Sequence, residues 1–336
     1  MTARRAAGAG MAIAVVFSVA VFAVADPTEL LSATFGRAPL ATGPAAPADP
    51  AAAGSVAGQI AVPPPSAGTS GKGRAVGGTF RSAVLDRTMP ITVYLPSGYD
   101  ANPAVRYPTV YLLHGGGGTN TEWADYGVLD AADRLMGGGA IPPYIIVLPQ
   151  GDQEYWVDHV IDQATGANGE RWGTYVAREV VPFVDARYRT IARQDKRAIG
   201  GLSMGAHGAM QLPMSFPGIW SVIGAHSPSI RPIGDAPTYL GKGAEFAARD
   251  PLSLVMAKPD LARAYTWRID VGDVDPWLEP AAAVAAALTA LGIPHEWRVY
   301  PGDHSAAYWE AHVEDTLRYY AAAFSCGRAV PCPTRP

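Results

Sequence analysis

Cysteine is almost absent: the 336 residues contain two, Cys326 and Cys332. Two thiols cannot staple a disulfide scaffold or complete a tetrahedral zinc site, so a fold of this length must rest on a hydrophobic core. Charge is scarce as well, at 17% of residues, which argues against a solvated, disordered chain. Neither sign dominates, because 26 basic and 30 acidic side chains leave a net charge of −4. That balance provides no basic footprint for nucleic acid. No internal repeat is visible.

What is present is unevenly spread. Arg4 and Arg5 precede an apolar run from Met11 to Ala25, which ends in the small-x-small site Ala23-Val24-Ala25 before Asp26. This is the order of a secretory signal. Cleavage is preferred over an uncleaved anchor, because Gly8, Gly10 and the neighbouring alanines weaken a membrane span. Residues 1–25 are thus read as a signal peptide or N-terminal anchor, and the protein as secreted or associated with the cell envelope. From Ala38 to Gly71 the one charged residue is Asp49, and no aromatic residue stands between Phe35 and Phe80. Such a stretch cannot bury enough apolar surface to offset its ordering entropy. Residues 26–77 therefore read as an Ala/Pro/Gly-rich disordered linker, with Pro63-Pro64-Pro65 in polyproline conformation. It either spaces the domain from a membrane or wall or is an inert spacer. Residues 326–336 form a tail in which Cys326 and Cys332 are expected to pair, given export.

Residues 78–325 carry the folded character of a single α/β domain. Thr79–Leu85 and Ile91–Leu95 read as antiparallel strands about a turn at Asp86-Arg87. Thr109–Leu113 and Tyr144–Leu148 are short apolar runs of the kind that buried parallel strands show. Glu122–Met136 has helical periodicity and stops at Gly137-Gly138-Gly139. A helix over Tyr175–Tyr188 follows, then a strand at Arg197–Leu202. Strands at Trp220–Ala225, Thr266–Val271 and Glu296–Tyr300 then alternate with helices beginning near Met204 and covering Pro280–Leu291 and Ser305–Phe324. This alternation predicts a mostly parallel central sheet flanked by helices.

Gly201-Leu202-Ser203-Met204-Gly205 fits G-x-S-x-G at the point where a strand should turn into a helix. A nucleophile elbow forces its serine into strained backbone angles, and a side chain at either flanking glycine would collide with the turn. Serine is a weak nucleophile that needs a base and an acid to orient the base. Five histidines follow Ser203. His207 is fixed within the elbow helix, His226 precedes the acid candidates, His295 opens a strand and His312 lies inside the last helix. His304, in Pro301-Gly302-Asp303-His304, follows the last strand directly and is the expected base. Asp275, after the turn at Gly272, is the expected acid; Asp273 is the alternative, with a turn-capping role if it is not the acid. Asp303 is expected to shape the loop. His114-Gly115-Gly116-Gly117-Gly118 follows another strand and suits an oxyanion hole, with Gly116 N–H and Met204 N–H as donors and His114 as a scaffold residue. The run lacks the Lys-Ser/Thr ending of a phosphate cradle. Trp156 and Trp277 stand near the predicted mouth, where each either holds an acyl chain or sugar ring or packs beneath a loop.

These features resemble the esterase D-like branch of the α/β hydrolases, which holds feruloyl esterases, S-formylglutathione hydrolases and secreted mycolyltransferases. The resemblance covers Thr79 to about Phe324. It rests on Tyr111-Leu112-Leu113-His114-Gly115, Trp172, Glu179-Val180-Val181-Pro182, Asp185-Ala186-Arg187-Tyr188-Arg189, the elbow, Gly272 with Asp275, and Gly302 with His304 and Trp309. It implies the α/β-hydrolase fold, with Ser203 as nucleophile, Asp275 as acid, His304 as base and the amides of Gly116 and Met204 as oxyanion donors. The elbow and the His114-Gly115 pair differ from those of mycolyltransferases, and the N-terminal signal differs from the cytosolic S-formylglutathione hydrolases. The expected function is an exported serine carboxylester hydrolase acting through an acyl-enzyme on a small-molecule, carbohydrate or lipid ester, with no cofactor and no metal. Acyl transfer to a sugar or lipid hydroxyl is the alternative, and a non-catalytic surface-displayed binding protein the second. Membrane or cell-wall association would run through the N-terminus.

Overall fold

The computed structural model describes residues 71–161 and 169–326, with Cys326 described in its backbone alone. The expected signal, all of the linker before Gly71 and the Cys326–Cys332 pairing lie outside the described residues.

One sheet of eight strands has the order β1-β2-β4-β3-β5-β6-β7-β8. The strands are β1 (Arg74–Ser82), β2 (Arg87–Leu95), β3 (Thr109–Leu113), β4 (Ile145–Pro149), β5 (Arg197–Leu202), β6 (Val222–His226), β7 (Thr266–Gly272) and β8 (His295–Tyr300). The β1–β2 and β2–β4 pairs are antiparallel and every other pair is parallel. β3, β4, β5 and β6 are buried at every residue, which explains their continuous apolar spelling: both faces are covered.

The helices are α1 (Glu122–Asp125), α2 (Val128–Ala132), α3 (Trp172–Tyr175), α4 (Val181–Arg187), α5 (Met204–Ser215), α6 (Ala244–Ala247), α7 (Pro251–Ala257), α8 (Pro259–Ala262), α9 (Leu278–Ala290) and α10 (Ala306–Cys326). They divide between two apolar cores, one on each face of the sheet. Val184 of α4, Met210 of α5, Val255 of α7 and Val284 of α9 join Tyr111 and Leu113 of β3 in one. Ala131 of α2 and Leu317 and Tyr320 of α10 join Val110 and Leu112 in the other. Among the described residues no helix is long and apolar enough to cross a membrane.

The structure departs from the sequence expectation in local detail. β1 starts at Arg74 rather than Thr79, and its residues are mostly exposed, so backbone pairing at the sheet edge rather than burial holds it. The predicted helix over Glu122–Met136 breaks at Gly127, where φ is 84°, and ends in a wide π turn over Asp133–Gly137. A second π turn, Val176–Val180, is followed by Val181 and then Pro182, which has no N–H to continue a regular helical ladder.

Register brings the relevant loops together. Leu113 pairs with Gly201, Leu202 with His226, His226 with Asp270, and Gly272 with Tyr300. The carboxyl ends of β3, β5, β6, β7 and β8 therefore share one edge, the usual place for a ligand in such sheets. At mid-sheet Gly200 and Gly224 face each other, and a side chain on either would collide with the Tyr320 hydroxyl reaching down from α10. Gly224→Ala should cost about 1–3 kcal/mol through this overpacking. Thermal unfolding followed by circular dichroism should show a lowered midpoint; an unchanged midpoint would mean that α10 moves aside freely.

Candidate active site

Ser203 occupies the turn between β5 and α5 with φ 52° and ψ −117°, a left-handed conformation that costs a non-glycine residue roughly 1–2 kcal/mol. Its neighbours make the turn possible. A side chain at Gly201 would strike the backbone of Gly205, and one at Gly205 would strike the carbonyls of Leu113 and His114. The elbow is pinned from below by the Ser203 N–H, which donates to His226 C=O at 3.1 Å. Under it lies a buried polar network. His226 Nδ1 is 2.6 Å from Asp270 Oδ2, Tyr308 donates to Asp270 Oδ1 at 3.0 Å, and Tyr320 OH lies 3.0 Å from His226 Nε2. Burial opposes the Asp270 charge, but His226, Arg268 and Tyr308 outweigh it and hold the carboxyl below the usual carboxylate range.

The three residues singled out for nucleophilic chemistry meet. Ser203 Oγ is 2.8 Å from His304 Nε2, and His304 Nδ1 is 2.9 Å from Asp275 Oδ2. A carboxylate only accepts, so Nδ1 carries the proton and Nε2 is left to accept from the serine hydroxyl. The Asp275 side chain is fully buried, whereas that of His304 is 21% exposed. Burial alone would raise the Asp275 pKa, but hydrogen bonds from His304, Ser227 Oγ and the Trp277 N–H prevail and lower it. The Trp309 ring meets His304 edge to face, with centroids 5.1 Å apart. Asp273 accepts from the Gly302 N–H at 2.9 Å, the turn-capping position, and does not reach His304. His207, His226, His295 and His312 all bond or stack elsewhere.

The glycine run after β3 packs against this chain of residues, since a side chain on Gly115 would lie 3.4 Å from Ser203 Cβ. Gly115 N–H donates to Glu122 Oε2 at 2.6 Å, Gly117 N–H to Gln153 Oε1, and Gly118 N–H to Gly115 C=O at 3.2 Å. Among the described residues, Gly116 is the member of the run whose N–H has no acceptor. Met204, in the first turn of α5, likewise has a free N–H among the described residues, as helix starts do. His114 sits beneath as scaffold: Nδ1–H donates to Gly115 C=O and Nε2 accepts from Gly151 N–H, each at 2.8 Å. Burial lowers its pKa, which keeps this neutral pattern in place.

The two tryptophans separate. Trp156 is 2% exposed, donates through Nε1 to His114 C=O at 3.0 Å and meets the His114 ring at 4.8 Å. It belongs to the core under the glycine loop, on a turn where both Tyr155 and Trp156 have positive φ. Trp277 is half-buried beside Asp275, and the Arg231 guanidinium lies 5.2 Å from its ring centroid. Sequence reasoning missed Glu122, Gln153 and Ser227. The one signal for Glu122 was its position at the start of a predicted helix close behind the glycines. Among the described residues, no group of three or more His, Cys, Asp or Glu side chains is placed to hold a metal ion.

Burial raises the Glu122 pKa, against hydrogen bonds from Gly115 N–H and Tyr126 that favour the charge. A raised folded-state pKa means that its stabilising contribution is present below the unfolded value, about 4.3, and is lost as pH climbs through the folded value. Glu122→Gln keeps an acceptor for Gly115 N–H but cannot ionise. Its stability relative to the wild type should therefore improve as pH rises from about 4 to about 7. Denaturant melts across that range check this, and a pH-independent difference would contradict it.

Residues 82–320 match the "Esterase" family model, described as "Putative esterase". The chain is 30% identical over 148 residues to esterase Rv1288 of Mycobacterium tuberculosis, an alignment covering 44% of this chain and 31% of that protein. It is 30% identical over 152 residues to an endo-1,4-beta-xylanase/feruloyl esterase of Xylanibacter ruminicola, covering 43% and 20%. The chain thus spans less than a third of the length of these curated relatives. Among solved structures, a ferulic acid esterase superposes with a TM-score of 0.66 at 27% identity, over 75% of this chain and 99% of that one. An S-formylglutathione hydrolase from Agrobacterium tumefaciens superposes with a TM-score of 0.62 at 21% identity, over 75% and 96%, a likeness of fold alone. With its sheet order, its elbow and a family match over most of its length, the chain belongs to the esterase family, in the esterase D-like branch of the α/β hydrolases.

Proposed function

We propose that this protein is an exported serine carboxylester hydrolase working through an acyl-enzyme. The observation that carries the reading is the unbroken hydrogen-bonded line from Asp275 through His304 to Ser203 Oγ, which ends beside two free backbone N–H groups. In this mechanism Ser203 Oγ attacks the ester carbonyl carbon while His304 Nε2 takes the hydroxyl proton. The negative charge that develops on the carbonyl oxygen is met by the amides of Gly116 and Met204, donors that need no reorganisation because their backbone is already fixed. Asp275 holds the imidazole in the tautomer that leaves Nε2 free and stabilises the imidazolium that forms. The imidazolium then protonates the departing alcohol. A water, deprotonated in turn by Nε2, attacks the acyl-enzyme, and the carboxylic acid leaves as Ser203 recovers its proton. Export is supported by the charged, apolar, small-residue order of residues 1–25, and the names of two relatives, a feruloyl esterase and a ferulic acid esterase, make feruloyl esters a natural substrate class to assay.

Ser203→Ala should reduce turnover of p-nitrophenyl acetate and butyrate by a factor on the order of 10³ or more, and His304→Ala should cost about as much, because the residues act as a unit. A fluorophosphonate probe should label the wild type and not Ser203→Ala. Full turnover by the serine variant would overturn the mechanism. A panel comparing p-nitrophenyl esters of graded length with methyl ferulate fixes the acyl preference.

A further inference from the structure

Ser227, the first residue after β6, is wholly buried and has a φ of 55°. Its N–H donates to Asp270 C=O at 2.6 Å, tying the strained turn to β7. Extended backbone at this position would send the side chain into one face of the sheet. The left-handed backbone instead brings Oγ to the loop that carries Asp275. There the hydroxyl donates to Asp275 Oδ2, the same oxygen that accepts from His304, and Oγ itself lies 3.3 Å from His304 Nδ1.

The protons decide what this triangle does. A serine hydroxyl has one proton and a carboxylate has none to give, so that proton goes to Asp275. What Ser227 turns toward the imidazole is then a lone pair, and His304 Nδ1–H has two acceptors: Oδ2 at 2.9 Å and Oγ at 3.3 Å. The other carboxylate oxygen, Oδ1, accepts from Trp277 N–H at 2.8 Å. Each oxygen of Asp275 is thus held by a donor other than His304, which sets the carboxylate plane independently of the imidazole. Among the described residues the Ser227 hydroxyl bonds to no group outside this pair, so it ties no other part of the fold together.

We propose that Ser227 is a positioning residue for the proposed hydrolysis, a fourth member of the chain that fixes the carboxylate of Asp275 and keeps the proton of His304 on Nδ1. The proposal rests on the triad reading above. A buried hydroxyl facing Nδ1 only as an acceptor favours the tautomer that frees Nε2, and the neighbouring donor on Oδ2 keeps that carboxylate from rotating away as charge builds on the ring. Its action is transmitted through His304 and not through contact with the substrate, so it should appear in turnover and not in binding.

Two variants test this. Ser227→Ala and Ser227→Gly both delete the hydroxyl, and glycine adopts the left-handed backbone freely, so a shared effect cannot come from backbone strain. In both, kcat for p-nitrophenyl butyrate should fall about tenfold with KM essentially unchanged. The low-field proton resonance of His304 Nδ1–H, identified by its loss in Asp275→Ala, should move further downfield as the carboxylate loses a competing donor. Wild-type kcat with an unmoved resonance in Ser227→Gly would overturn the role of Ser227. If Ser203→Ala is inactive in the same assay, that result leaves the triad standing, whereas an active Ser203→Ala removes the triad reading and this proposal together.

Discussion

The close approach of the β5–α5 turn to the end of β3 is the constraint on which the site depends. Gly205 lies against the carbonyls of Leu113 and His114, and Gly201 lies against Gly205, so neither position has room for a methyl group. With this contact made, the strained Ser203 is over-determined by its surroundings. Its own N–H is bound to β6, its helix is seated on β3, and the glycine loop that follows β3 arrives beside its side chain. The serine and the glycine loop beside it are thereby placed by one packing event, without separate devices for each.

Around that contact the polar groups are matched rather than merely buried. The glycine loop spends three of its N–H groups on Glu122, Gln153 and its own carbonyl, which fixes the loop and leaves the Gly116 N–H. Beneath Ser203, the buried His226, Asp270, Tyr308 and Tyr320 bond to one another, and Arg268 adds a positive charge 3.4 Å from Asp270. An unpaired carboxylate at that depth would be strongly destabilising, so the set is constrained to stand or fall as a group. Its members reach the sheet from α10 and from β6 and β7, and this couples the last helix of the domain to the floor of the elbow.

Legibility in the sequence followed a simple physical rule. His304 follows the half-exposed β8 and was found because the loops of a parallel sheet emerge at one edge, whereas Ser203 and Asp275 could be read because each follows a buried strand, β5 and β7. The four central strands were visible for the same reason. β1 was not placed correctly at its start, since an edge strand is held by backbone pairing and its segment Arg74-Ala75-Val76-Gly77-Gly78 carries no burial signal. The break at Gly127 and the two π turns depend on how helices seat against their neighbours, which periodicity does not report. Glu122 and Ser227 were hidden more deeply. The first reaches seven residues back to Gly115, and the second becomes adjacent to Asp275 through the pairing of β6 with β7, forty-eight residues away in the chain. Trp156 shows the converse: an aromatic near the mouth in sequence proves to be a wedge in the core.

The contact between Ser203 and His304 joins residues 101 positions apart, and Asp275 and His304 enter after β7 and β8, at the far edge of the sheet from β1. Long-range pairing of this kind is late and slow relative to local structure, because loop-closure entropy must be met before such contacts form. Until the last two strands have docked, Ser203 lacks its hydrogen bond to His304 and, under the proposed mechanism, is chemically an ordinary alcohol. Under that mechanism, reactivity of the serine would report that the two strands at this edge have completed the assembly of the domain.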